Sequence, residues 1–197
     1  MTRSGDSRAF AYARIPCEKT KDAVTLQRAG FHVVDVSLGF SKAIGSHSIP
    51  TQVREASSED EELVAEIAAT SYRFSRFHLD PAFDLSEAQT LKRAWVKNFF
   101  RGQRGDRLFL ATTEGKVSGF LLALKTADAC VIDLIAVTEN ARRKGLAAAM
   151  ITACENAFPE AANISAGTQA ANIPSVRLYE SLGFRLTSSQ YLLHRHS

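Results

Sequence analysis

Val137-Thr-Glu-Asn-Ala-Arg142-Arg143-Lys144-Gly145-Leu146-Ala147 joins an apolar run to a helical one. The first turn of a helix leaves N–H groups without partners, and the helix dipole adds partial positive charge there. A glycine at that point lets a ligand approach the backbone closely. Arg142, Arg143 and Lys144 add mobile positive charge. Together these features make an anion site suited to a pyrophosphate. A solvated basic turn that only caps a helix has the same pattern. The chain has neither G-x-x-x-x-G-K-[ST] nor G-x-G-x-x-G, so neither a P-loop nor a dinucleotide fold is supported.

Working outward, residues 130–137 before this loop and 145–157 after it read as strand and helix. Upstream, residues 53–56 predict a short strand. Ser58 with Glu61 and Ser86 with Gln89 have the spacing of capping boxes. Leu63, Val64, Ile67 and Ala68 continue the first helix; Leu91, Trp95 and Phe99 continue the second. Strands are predicted over 107–113 and 117–124, joined at Glu114-Gly115-Lys116. Downstream come a strand (163–168), a helix (173–182) and a strand (184–195). The order βααβββαβαβ predicts an α/β fold, specifically an α+β mixed sheet.

Residues 41–52, rich in Ser and Gly, read as a linker. They divide a small unit, 1–40, from a body, 53–197. LQRAGFHVVDVSL at 26–38 resembles YESLGFRLTSSQY at 179–191, at an offset of 153 residues. Residues 1–40 therefore read as a strand–helix–strand echo of the C-terminal unit, or as a chance likeness of two helix ends. At that offset Asn172 falls on Lys19 and Tyr179 on Leu26, so the N-terminal copy should be structural.

Composition excludes several classes. The chain has 197 residues, 45% apolar and 23% charged, which is ordinary globular usage. The longest apolar run, 146–151, is far short of the roughly 20 residues of a membrane span. The start, MTRSGDSRAF, has no apolar segment of the signal-peptide kind. Cys17, Cys130 and Cys154 lie far apart, with no CxxC and no histidine at metal spacing. A cytoplasmic protein without metal or disulfide is expected. A net charge of +3 gives no reason to expect nucleic acid as a partner.

A second pattern is Asn172-Ile-Pro-Ser175-Val-Arg-Leu-Tyr179-Glu-Ser-Leu-Gly183-Phe184. Asn172 suits an N-cap, and Pro174 falls in the first turn, where its missing N–H costs nothing. Tyr179 lies two turns on, over the same face. By itself, a tyrosine there is more often packing than chemistry.

Together the two patterns resemble the GNAT acetyltransferase superfamily from about Thr51 to the end. Arg142-x-x-Gly145-x-Ala147 matches its R/Q-x-x-G-x-G/A. Asn172-x-x-Ser175-x-x-Leu178-Tyr179 and Gly183-Phe184 match its N-x-x-A/S-x-x-L/F-Y and G-F. The resemblance implies acetyl-CoA, or another short acyl-CoA, as cosubstrate. Its pyrophosphate would lie on Arg142, Arg143, Lys144, Gly145, Leu146 and Ala147. Its arm would run along Leu134, Ile135, Ala136 and Val137, near Asn172 and Ser175, with Tyr179 as general acid to the thiolate.

Ser75-Arg76-Phe77-His78-Leu79-Asp80-Pro81-Ala82-Phe83 is similar to the S-R-F-x-x-D-P-x-F segment of TDP-fucosamine acetyltransferases, as Gly30-Phe31-His32-Val33-Val34-Asp35 is to their G-F-x-x-V-D. That implies the amine of a dTDP-linked amino-dideoxy sugar as acceptor, with Arg76, Phe77, His78, Asp80 and Phe83 binding it. Arg76 can bind phosphate bidentately, and Phe77 or Phe83 can stack on a base. Core aromatics with a turn-capping Asp80 would explain the same residues. Asp133, the only ionisable group between Val131 and Val137, is a candidate base, and His78 a further one. A strand near 188–194 could pair across a two-fold, which would give a homodimer. An acceptor of another kind (a protein N-terminus, polyamine or antibiotic) and a non-catalytic acyl-CoA sensor stay open.

Overall fold

A computed structural model describes residues 9–45, 48 and 50–196. The first eight residues, and Ser46, His47 and Ile49 of the expected linker, lie outside the described residues. The elements are β1 (Phe10–Pro16), α1 (Thr20–Arg28), β2 (His32–Ala43), β3 (Val53–Glu55), α2 (Glu61–Ser71), α3 (Arg76–Leu79), α4 (Leu85–Phe100), β4 (Arg107–Thr113), β5 (Lys116–Lys125), β6 (Ala129–Val137), α5 (Leu146–Ala157), β7 (Asn163–Gln169), α6 (Ile173–Ser181) and β8 (Arg185–His196). All eight strands join one sheet in the order β1-β8-β2-β7-β6-β5-β4-β3.

Both faces of the sheet's middle are covered, which is why its strands read as near-continuous apolar runs. Side chains alternate across a strand. Leu108 and Leu110 of β4 therefore join Val64, Ile67 and Ala68 of α2 and Val96 of α4. Phe109 and Ala111 face the other way, onto Leu146, Met150 and Ile151 of α5. Cys130 and Cys154, 24 positions apart in sequence, meet in this second core with Sγ atoms 3.3 Å apart as free thiols.

Three sequence expectations shift. The capping boxes start earlier, the first by one residue as Ser57 with Asp60 and the second by two as Asp84 with Glu87. The short helix α3 stands between the two expected helices, where no helix is predicted. The linker is shorter than 41–52 because β2 continues through Ala43, and the Ile44 and Gly45 N–H groups are bonded to the Ala162 carbonyl and the Glu155 carboxylate.

The N-terminal unit is interleaved with the body rather than separate from it: β2 lies between β7 and β8, and β8 between β1 and β2. The offset of 153 holds throughout. Moving the Phe10↔His196 pair by it leads to Asn163↔Ala43, and Pro16↔Gln190 leads to Gln169↔Ser37; all four pairings are observed. Between β2 and β8 the bulges fall at Val34 and Thr187, images of each other. Helices α1 and α6 have the same bounds at this offset. Gly30 and Gly183 end them at φ 86° and 82°, and the Phe31 and Phe184 N–H groups close them on the Leu26 and Tyr179 carbonyls. The two strand–helix–strand units are thus related by a pseudo-two-fold axis within one sheet. One consequence removes the expected strand-pairing route to a dimer. Strand β8 has neighbours on both sides, so the 188–194 segment has no free edge to offer a second copy.

Candidate active site

Strands β6 and β7 pair in parallel only from Ala129↔Asn163 to Ile132↔Ala166, although both run on. Opposite this point β6 also bulges against β5: Ala123 pairs with Ile132 and Leu122 with Leu134, which leaves Asp133 as the extra residue. A cavity of about 560 Å³ opens in the gap between β6 and β7. Of the twelve residues assigned to acyl-CoA, all but Lys144 line it. Beyond Ile132, β6 pairs with no strand on its β7 side among the described residues.

The loop at the cavity mouth is shaped by two left-handed residues. Arg143 has φ 62° and Gly145 φ 77°. Gly145 is the N-cap of α5 and has no side chain to satisfy the helix's first N–H groups. Arg142 is a tether: its Nε donates to the Val137 carbonyl at 3.3 Å and its Nη2 to the Ser71 carbonyl at 3.2 Å. That ties the loop to the end of β6 and of α2.

Asn172 caps α6. Its Oδ1 accepts from the Ser175 N–H, and its Nδ2 donates to Thr168 Oγ1 at 3.2 Å. Tyr179 packs on Phe40 and Phe184, with ring centroids 5.6 and 5.3 Å away, and is 2% exposed. Its hydroxyl bonds no described residue and belongs to the cavity wall. Burial raises its pKa well above the ordinary value.

The five residues assigned to the acceptor do not line this cavity. Phe77 and Phe83 pack edge-to-face, 5.2 Å apart, and both meet Phe10 and His194. Asp80 is buried and accepts hydrogen bonds from the Ala82 N–H at 3.0 Å, His194 Nδ1 at 2.5 Å and His196 Nε2 at 2.7 Å. Burial alone would raise its pKa; these bonds outweigh that and hold it at about 2. His32, Asp80 and His196 have polar atoms within 4.8 Å of one another, a grouping that no sequence spacing signals. Arg76 stacks on the Tyr12 and Phe77 rings. His78 reaches the cavity only through Ser75, whose hydroxyl is 2.6 Å from its Nδ1. The segment is a brace beneath the cavity, because long-range pairing brings β1, β2 and β8 against it.

Asp133 does reach the cavity, but both its oxygens are engaged. Arg104 Nε and Nη2 donate to them at 2.6 and 2.7 Å. Asp133→Asn breaks a bidentate, part-buried pair and should destabilise the fold by about 1–2 kcal/mol. The check is the midpoint of chemical denaturation, and an unchanged midpoint would mean the pair holds nothing. Sequence reading missed Arg104 and Lys92. The one lies in a polar loop, and the other is a single charge on an amphipathic helix; only the fold turns both inward.

The sequence profile of the acetyltransferase (GNAT) family matches residues 62–184. The chain belongs to the GNAT family. It is 30% identical over 137 residues to the spore coat polysaccharide biosynthesis protein SpsD of Bacillus subtilis (strain 168), covering 68% of this chain and 47% of that protein. The chain thus spans about half the length of this curated relative. Among solved structures it resembles a GCN5-related N-acetyltransferase from Sphaerobacter thermophilus, with TM-score 0.64 and 15% identity over 97% of this chain and 61% of that one. A GCN5-related N-acetyltransferase from Kribbella flavida gives TM-score 0.61 and 19% identity, over 93% and 67%. At such identities these two show the fold alone. The family is one of acetyltransferases, which use an acyl-CoA cosubstrate. Among the described residues, no helix is long and apolar enough to cross a membrane.

Proposed function

We propose that this GNAT enzyme transfers an acetyl group from acetyl-CoA to the amine of a dTDP-linked amino-dideoxy sugar. The observation that carries the transfer is the convergence on one cavity of the Arg143–Gly145 turn, the open edge of β6 and the unbonded Tyr179 hydroxyl. Acyl transfer needs a neutral amine, a donor for the tetrahedral oxyanion and stabilisation of the departing thiolate. The diphosphate would lie at the first turn of α5, the thioester carbonyl against β6 and the sulfur beside Tyr179. A Tyr179 held above the ordinary pKa of about 10 stays protonated at working pH. It therefore acts by donating a hydrogen bond to the thiolate.

The sugar acceptor is supported by the similarity to SpsD, a polysaccharide biosynthesis protein, and by the Ser75–Phe83 segment. In this reading that segment shapes the acceptor end from beneath, through Ser75. The deciding experiment is thiol release from acetyl-CoA against a panel of dTDP-amino sugars, peptide amines, polyamines and aminoglycosides. Selective turnover of a dTDP-amino sugar is expected. Turnover confined to another amine would replace the acceptor, and tight acyl-CoA binding without release on any amine would favour a sensor.

A further inference from the structure

Lys92 of α4 is 5% exposed, and its Nζ lies 4.4 Å from the Tyr72 ring centroid and 4.3 Å from that of Trp95. It makes no hydrogen bond or ion pair with another described residue. Burial strips hydration from an ammonium group in that position and favours the uncharged amine, against the two ring faces and the Asp133 carboxylate, which favour the charged one. The same side chain forms part of the cavity wall together with Asp133, Leu134 and Tyr179. In the acyl-transfer reading the thioester lies between β6 and Tyr179, and Lys92 lines that same cavity.

We propose that Lys92, as the free amine, is the base that accepts the proton of the acceptor amine, while Asp133 is a positioning residue that holds Arg104. This rests on the acyl-transfer reading above. The acceptor nitrogen's lone pair forms the new C–N bond at the thioester carbon. One N–H proton passes to the Lys92 Nζ lone pair, giving an ammonium. The C–S bond then breaks, and its electron pair leaves on sulfur as the thiolate that Tyr179 hydrogen-bonds. The other candidates are less suited. The Asp133 oxygens are both committed to Arg104, and the Nδ1 of His78 is bound to Ser75 behind the wall.

The groups facing Lys92 are Tyr72 after α2, Arg76 and His78 on α3, Asp133 on β6 and Arg104 after α4. Burial lowers the lysine pKa most, Asp133 opposes it, and Arg104 and Arg76 lower it further, to about 7. The free amine is thus populated above about pH 7, and the rate should rise with pH through that value.

The test combines kinetics on whichever amine the wild type acetylates with an NMR titration of the full chain. The Lys92 Cε resonance, assigned by its loss in Lys92→Met, should titrate near 7. Lys92→Met and Lys92→Arg should both lower kcat by about 10²-fold, with acyl-CoA Kd within about twofold of wild type. In both, the component of the pH–rate profile that rises through about pH 7 should be lost. Arginine keeps the charge and cannot act as a base, so a Lys92→Arg enzyme within about threefold of wild type would overturn the proposal. A Cε titration near 10 would overturn it as well. Turnover of a non-sugar amine would sink the sugar reading and leave this test intact. A wild type that acylates no amine would overturn the acyl-transfer reading directly, whatever Lys92 does.

Discussion

Tyr179→Phe should slow turnover by about 10²-fold while acyl-CoA affinity and fold stability stay near wild type. The ring contributes the packing on Phe40 and Phe184, and phenylalanine keeps it. The lost hydroxyl bonds no described residue, so its removal forfeits no protein hydrogen bond, and stability should change by less than about 1 kcal/mol. Only the departing thiolate loses a donor. The deficit should shrink with a thioester whose thiol is more acidic, since that leaving group needs less help. The measurements are kcat at saturating acceptor, acyl-CoA Kd and a thermal melt. Activity within about threefold of wild type would refute the donor role and reopen the sensor reading.

Gly145→Asp should raise KM for acyl-CoA by about 10²-fold, with the fold retained. A Cβ at Gly145 meets nothing within 4 Å, so there is room for a side chain. The φ of 77° costs an L-residue about 1–2 kcal/mol, which a loop residue can bear without global unfolding. The carboxylate would add negative charge at the helix N-terminus where the diphosphate is expected. At an effective dielectric near that of a protein surface, such repulsion is worth about 2–4 kcal/mol. Gly145→Ala is the control, since it carries the backbone strain without the charge and should change KM only a few-fold. If Gly145→Asp binds acyl-CoA as wild type does, the diphosphate does not lie on this loop.

How far each half of the cavity could be read in the sequence follows from how local its determinants are. The Arg142–Ala147 turn, the α5 start and the Asn172 cap are set within a few residues by chain conformation and helix ends. Their motif spacing therefore led to residues that the structure brings to one cavity. Residues 76–83, which do not line the cavity, behave differently. Phe77, Asp80 and Phe83 have the composition of a ligand motif, and burial against β1, β2 and β8 makes them a brace. Lys92 carries no local signal of burial, and only the packing of α4 buries it on the same face as Val96.

By itself the sequence determined the order of elements apart from the short α3, the basic turn that opens α5, the placement of Asn172 and Tyr179 on one helix and the offset of 153 between the two units. All of these depend on neighbours within a turn or two, or on direct comparison of two segments. Only the tertiary structure decided that the two units interleave in one sheet and so close both edges of β8. It alone parted β6 from β7, engaged Asp133 with Arg104 and buried Lys92 between two rings at the cavity wall. Strand pairing and burial join residues a hundred positions apart, and neither the charge of a buried group nor the partner of a carboxylate can be read before that joining is known.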